Sequence, residues 1–190
     1  MQKANNPNNG FTFFKTQISL LRADFSSRTW GVVLQYLASG FPDFFFFNFI
    51  RVWALFFAGA KFKKMNSVII RRGVFIEYPK NMYIGEGVQI NRNTYFASND
   101  KVEIGDYTRF AINVQVITVG HKGLFNEIDT LGPVKIGSGC WIGSNAVILK
   151  NVTIGNSTII GAGSVVNKSL PDFVIAGGVP AIILKNRENN

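Results

Sequence analysis

Residues 134–166, VKIGSGCWIGSNAVILKNVTIGNSTIIGAGSVV, carry a large aliphatic side chain at every sixth position: Ile136, Ile142, Ile148, Ile154, Ile160 and Val166. Two residues before each stands a second, mostly smaller member: Val134, Cys140, Ala146, Val152, Thr158 and Ser164. Residues two apart on an extended chain face the same way, and one bulky and one small inward position suit a narrow interior. An amphipathic helix would place its apolar residues three and four apart. Gly137, Gly143, Gly155 and Gly161 directly follow the large aliphatic, where a missing Cβ helps a backbone change direction. Each six-residue unit reads as a short strand plus a corner. Such repeats are the signature of a parallel β-helix, whose coils pair at about 4.8 Å.

Upstream the same pairs recur as Val68/Ile70, Val74/Ile76, Met82/Ile84, Val88/Ile90, Thr94/Phe96, Val102/Ile104, Thr108/Phe110 and Val114/Val116, with Gly85 and Gly105 in the same relation. At three units per coil this predicts about five coils. The repeat breaks once, between Val116 and Val134, and His121, the single histidine, opens that excursion. Long loops on regular solenoids are usual places for function, although a lone loop histidine is more commonly a solvated side chain.

Composition narrows the chemistry. With 190 residues, 47% of them hydrophobic, the chain can bury one sizeable core and is not disordered. One cysteine excludes a disulfide framework, and one histidine excludes a three-histidine zinc site, so no metal is expected. The net charge of +9 is concentrated in residues 1–66, with eight basic and two acidic side chains. That excess suits an anionic membrane surface, a phosphate-bearing cofactor or nucleic acid. No zinc knuckle, recognition helix or RNP-type motif supports nucleic acid, which is set aside.

The first ten residues, MQKANNPNNG, read as a polar frayed end and not as a secretion signal. Residues 28–39 predict a helix with Ser27 as N-cap and Gly40 beyond its end; residues 44–58 predict a second, closed by Gly59. Asn48 and Arg51 are the only polar residues of the second segment, and Lys61, Lys63 and Lys64 follow it. About 15 residues are too few to span a bilayer, which needs roughly 20, and Arg51 would sit mid-membrane. Two readings stay open: the aromatics pack against the neighbouring domain or another subunit, or they form an interfacial anchor with a basic flank, a peripheral membrane contact. The expected division is an N-terminal helical, aromatic segment (1–66), a β-helix (67–170) with loop 117–133, and a C-terminal extension (171–190).

The segment Trp141 to Val166 resembles the hexapeptide-repeat acyltransferases, and the similarity extends over residues 61–186. TVGHKGL (118–124), AGGVP (176–180) and the tryptophan-led unit are similar to galactoside and maltose O-acetyltransferases. The aromatic N-terminal segment and GAKFKKMNSVIIRRGVFIEYPKNMYIG (59–85) resemble colanic-acid and other exopolysaccharide O-acetyltransferases. The resemblance implies an all-β solenoid: a left-handed parallel β-helix of about five coils with an N-terminal helical, aromatic-rich segment and a short C-terminal extension, assembled as a homotrimer. Periodicity by itself does not give that hand, since parallel crossovers are usually right-handed.

It also implies acetyl-CoA as co-substrate, a sugar or glycan hydroxyl as acceptor and His121 as general base, with no covalent intermediate. By resemblance, Trp141, Gly143 and Ser144 lie along the pantetheine arm, Gly161 and Ala162 let it approach the backbone, and Lys168 and Lys185 meet the phosphates. Lys185 replaces an arginine common in the family and lacks its bidentate fork. Asn91 and Asn99 align with sugar-binding positions, though asparagine is also frequent at corners for its tolerance of unusual backbone angles. Trp141 has the alternative reading of a plain exposed corner aromatic. A backbone N–H near Gly143 or Ser144 is the expected oxyanion donor. Cys140, at an inward position, is expected to be inert. Lys122 and Gly123 follow the histidine where the family often has a second histidine or an acid, which leaves the group orienting His121 open.

The expected activity is O-acetylation of a sugar in bacterial surface polysaccharide or O-antigen synthesis. The alternatives are N-acetylation of a nucleotide-linked amino sugar, acetylation of a small xenobiotic, or a non-enzymatic β-helix scaffold. The expected location is the cytoplasm, with the inner face of the membrane as the seat of the aromatic segment under its anchor reading.

Overall fold

The computed structural model describes residues 29–43, 45–120 and 130–187. Helices α1 (Thr29–Ser39) and α2 (Phe45–Phe57) precede a β-helix of about five coils. The expected Ser27 cap lies outside the described residues. Gly59 closes α2 with φ +101°, while its N–H reaches Phe56 O and that of Ala60 reaches Leu55 O, both at 2.9 Å. These are the two bonds of a glycine-terminated helix end.

Each coil gives one strand to each of three parallel sheets. The first face stacks Lys61–Phe62, Met82–Ile84, Val102–Ile104, Val134–Ile136 and Val152–Ile154. The second stacks Ile69–Ile70, Gln89–Ile90, Arg109–Phe110, Trp141–Ile142, Ile159–Ile160 and Val174–Gly177, then ends on antiparallel Ile182–Asn186. The third stacks Phe75–Ile76, Tyr95–Ala97, Gln115–Ile117, Val147–Ile148 and Val165–Val166. Every inward pair read from the sequence is buried, including Thr94, Thr108, Thr158 and Ser164. The hydroxyls are satisfied internally: Thr108 Oγ1 donates to Gly137 O at 2.6 Å and Thr158 Oγ1 to Pro171 O at 2.8 Å.

Pairing outruns the regular spacing at both ends. It begins at Lys61, inside the segment assigned to residues 1–66, and continues past residue 170 through Leu170, which bridges Ile154, and Val174–Gly177. Sheet edges must be paired or covered whether or not six-residue spacing persists.

The glycines after the large aliphatics have a different cause from the one expected. Gly85, Gly105, Gly137 and Gly143 are not in the left-handed region. A Cβ on Gly137 would lie 2.7 Å from Asn156 N and 2.8 Å from Gly155 C; one on Gly143 would lie 2.6 Å from Ala162 N. The bend of the next coil occupies that space, so close approach, not turning, excludes a side chain. The turning falls further along the corner, where Asn93, Asn113, Asn145 and Asn151 take φ of 56–61°. Gly161 differs: the nearest atom to its Cβ would be Ser164 Oγ at 3.4 Å, and its φ is not left-handed.

The helices close the first coil's open edge. Gln35 bonds the third face as a peptide would, Nε2 donating to Ile76 O at 3.0 Å and Oε1 accepting from Ile76 N at 2.9 Å. Asn48 does the same for the second face, donating to Val68 O at 2.9 Å and accepting from Ile70 N at 2.7 Å. Buried Arg51 donates to the carbonyls of Phe41, Pro42 and Ile70, with Asp43 3.5 Å away. The polar residues of α2 thus point inward with Val52 and Leu55, while Phe49, Trp53, Phe56 and Phe57 are exposed. Internal packing and an uncovered aromatic surface coexist on opposite sides of one helix. The basic flank is not free: Lys63 pairs with Asp106 at 2.6 Å, Lys64 with Glu86 at 2.8 Å, and Lys61 donates to Tyr83 Oη at 2.7 Å.

Two alanines separate close approach from open space. Gly137→Ala is expected to cost about 1–3 kcal/mol through clash with the next coil, while Gly161→Ala stays within about 0.5 kcal/mol of wild type. Thermal and denaturant unfolding of the two variants checks this; equal stabilities would refute the coil-contact explanation.

Candidate active site

Outward side chains of the second face form two columns. Strand register puts Ile69, Gln89, Arg109, Trp141, Ile159 and Ile175 in one. The backbone bonds Arg71 N to Ile90 O, Ala111 N to Ile142 O, Gly143 N to Ile160 O and Gly161 N to Ala176 O order the other as Arg71, Asn91, Ala111, Gly143, Gly161 and Gly177. From Ala111 onward the second column is side-chain-poor, a small-residue channel beside the 46%-exposed Trp141 ring in which Ala111, Gly143 and Gly177 are buried, Gly161 is half-buried and Leu184 approaches Gly177. Ser144 and Ala162 border it at the corner between the second and third faces, and Lys185 lies on the last strand, opposite Ile175. Sequence reasoning named Trp141, Gly143 and Gly161 but missed Ala111 and Gly177; their register across coils was the available signal.

The other site residues gather on the edge between the third and first faces, opposite the second face of the three-sided prism. There the excursion leaves and returns as an antiparallel pair, Val119–Gly120 with Thr130–Leu131. Thr130 Oγ1 donates to Gly120 O at 2.9 Å, and Lys150 Nζ donates to Thr130 O at 3.1 Å and to its hydroxyl. Lys150 also packs against Gly120, so it holds both strands at the base; its corner position gave no sign of this in the sequence. His121 is the next residue along the chain and lies outside the described residues, as do Lys122, Gly123, Glu127 and Asp129. Asn99 is on this edge, its Oδ1 buried without a hydrogen-bond partner among the described residues. Lys168 is here too, between Val166 and Leu170.

One chain therefore separates residues that the sequence grouped. Asn91 and Asn99 fall on opposite sides, as do Trp141 and Lys168. Neither asparagine has a left-handed backbone, so corner geometry does not account for them; Asn91 Oδ1 accepts the Arg92 N–H at 2.9 Å. The expected oxyanion donor narrows as well, because the Gly143 N–H is committed to Ile160 O at 2.9 Å, whereas that of Ser144 has no acceptor among the described residues. Cys140 is buried with Sγ 3.0 Å from Gly155 O, and burial pushes its thiol pKa up, an unreactive setting.

Two concavities bear on function. A depression of about 140 Å³ on the second face holds Arg71, Gln89, Asn91, Arg109 and Trp141. A larger groove of about 460 Å³ follows the first face past Lys63, Tyr83, Glu103, Asp106 and Lys135. It contains none of the sequence-derived site residues, and the Lys63–Asp106 pair already satisfies part of its charge.

A family model for the bacterial transferase hexapeptide (six repeats) matches residues 133–168. Galactoside O-acetyltransferase of Escherichia coli (strain K12) is 38% identical over 117 residues, 59% of this chain and 57% of that protein. The chain thus spans little more than half the length of that relative. Among solved structures, a maltose O-acetyltransferase from Clostridium difficile 630 superposes with a TM-score of 0.78 at 30% identity, covering 87% of this chain and 88% of the other. A galactoside acetyltransferase in complex with coenzyme A gives 0.75 at 27% identity, covering 85% and 81%. Repeat, fold and relatives agree: the chain belongs to the hexapeptide-repeat acetyltransferase family.

Proposed function

We propose that the protein is an acetyl-CoA-dependent O-acetyltransferase acting on a sugar hydroxyl, in a homotrimer whose sites lie between neighbouring subunits. The observation that carries this reading is the division of the site residues between one face and the opposite edge. A neighbour's excursion edge laid against the second face would complete what one chain leaves open. The relatives' names, galactoside and maltose O-acetyltransferase, and the coenzyme A bound to one of them support the substrate classes.

The channel residues fit the cofactor. The fold leaves space at Gly161, where a side chain would be tolerated, and the Ser144 N–H beside it has no acceptor among the described residues. Bound acetyl-CoA supplies an acetyl group activated as a thioester. Trp141, Gly143, Ser144, Gly161 and Ala162 hold the arm, and Lys185 with the neighbour-facing Lys168 meets the phosphates. His121 takes the proton from the acceptor hydroxyl as its oxygen bonds the acetyl carbon, and passes that proton to the thiol whose bond to carbon breaks. Asn91 and Asn99 bind the acceptor. The setting we infer is surface polysaccharide or O-antigen synthesis, which rests on the N-terminal resemblance. Amine and hydroxyl forms of the same sugar, compared as acceptors, separate this from N-acetylation.

The exposed Phe49, Trp53, Phe56 and Phe57 support a second element, contact of the helical cap with a lipid surface. No helix among the described residues is long and apolar enough to cross a membrane. Because Lys63 and Lys64 are paired with carboxylates of the β-helix, the proposed contact rests on the aromatic side chains.

Three outcomes are expected. His121→Ala loses about 10²–10⁴ in turnover with fold and oligomer unchanged; near-normal thiol release would remove His121 from the mechanism. Mixing inactive His121→Ala chains with chains inactivated on the wall alone, by Trp141→Ala with Gly161→Leu, restores activity, because some interfaces then pair an intact edge with an intact wall. Demonstrated mixed oligomers that stay inactive would place each site within one chain. In vesicle flotation, the wild-type protein binds neutral and anionic vesicles alike and resists salt, and replacing Phe49, Trp53, Phe56 and Phe57 with serine releases it; a wild type that stays unbound would reduce the patch to packing.

A further inference from the structure

Arg71 and Arg109 line the second-face depression together with Asn91 and Trp141. Their neighbours Arg51 and Arg92 share Asp43, at 3.5 and 2.6 Å. Among the described residues neither Arg71 nor Arg109 has a carboxylate within 4.0 Å. Arg71 is nevertheless held in place, its Nη1 donating to the backbone carbonyl of Asp43 at 3.3 Å. Asp43 itself also caps the Arg72 N–H at 2.9 Å, so its carboxylate is committed on every side. Two guanidinium groups thus line one concavity, Arg71 held by a backbone carbonyl, with no carboxylate paired to either among the described residues.

Their position says what they would meet. Arg109 stands directly beside Trp141 in register, and Lys185 lies on the fourth strand from Arg109, beyond Trp141, Ile159 and Ile175. At ~4.8 Å per strand the separation is roughly 19 Å. A cofactor whose phosphates meet Lys185 and whose arm runs along the small-residue channel arrives at Trp141 with its acyl end. The arginines lie beyond that end, beside Asn91, where the acceptor belongs. Guanidinium forks match carboxylate and phosphate oxygens geometrically, and a neutral sugar leaves such charge uncompensated.

We infer that the acceptor is an anionic sugar, carrying a carboxylate or phosphate that Arg71 and Arg109 bind next to Asn91. The inference rests on the acyltransferase reading for the identity of the other ligand, but the anion site stands on the side chains themselves.

The test uses the intact protein and three probes: methyl galactoside, methyl galacturonide and galactose 1-phosphate. Thiol release from acetyl-CoA gives kcat/KM for each, with wild type, Arg71→Gln and Arg109→Gln. Wild type is expected to favour at least one anionic probe by roughly ten-fold or more, the scale of one charge-assisted hydrogen bond. Either variant loses that preference without raising the KM for acetyl-CoA, and the preferred probe tells carboxylate from phosphate. Equal use of neutral and anionic probes, or a rise confined to the acetyl-CoA KM, overturns the inference and leaves acyl transfer standing. Binding is read separately by tryptophan fluorescence without acetyl-CoA, with Trp141→Phe assigning the signal. Arginine-dependent binding of an anionic probe without thiol release from any acceptor supports the anion site and overturns the acyltransferase reading instead.

Discussion

The coils of this protein hydrogen-bond through their backbones to the coils next to them, at a separation set by peptide geometry. That constraint fixes the rest. With the spacing between coils settled, each corner carries the bend of the next coil against it, so Gly85, Gly105, Gly137 and Gly143 can bear no Cβ. The interior has a constant cross-section, which Phe96 and Phe110 fill edge to face in neighbouring coils while Thr94 and Thr108 take the small positions beside them. The stack also has to end, since an uncovered row of peptide groups would invite another chain.

The two ends are closed by different means. At the far end the chain turns back on itself as an antiparallel strand on the second face. At the near end, the side-chain amides of Gln35 and Asn48 imitate the peptide groups of a coil that is not there. This requirement explains the inverted amphipathicity of α2. Its polar residues are spent on the solenoid's backbone, and its aromatic residues are left facing outward, where they are available to a lipid surface.

Functional asymmetry follows from the same geometry. A regular prism offers three equivalent walls, and two departures from regularity distinguish them. One is the channel on the second face, where Gly161 is small without any packing need for it; the other is the excursion on the opposite edge, its base fastened by Thr130 and Lys150. Along the channel wall, cationic groups stand at both ends, Lys185 at one and Arg71 with Arg109 at the other, with Trp141 between them. On the proposed reading, such a wall would tell two ligands apart by position as well as by charge.

The coil count, all fourteen inward pairs, the site of the excursion and both helices were legible in the sequence, because short-range periodicity and helix-end signals are local properties. The inert setting of Cys140 was legible for the same reason, since inward positions follow from the repeat alone. What the sequence could not decide were relations across coils. The cause of the glycines depends on the coil above, the inward direction of Asn48 and Arg51 depends on an edge needing partners, and the pairing of Lys61, Lys63 and Lys64 depends on carboxylates and a phenol contributed by later coils. Resemblance set Asn91 beside Asn99 and Trp141 beside Lys168 as parts of one site; only the folded chain put them on a face and its opposite edge, because a residue's side of the prism is determined by how many corners separate it from its neighbours in space.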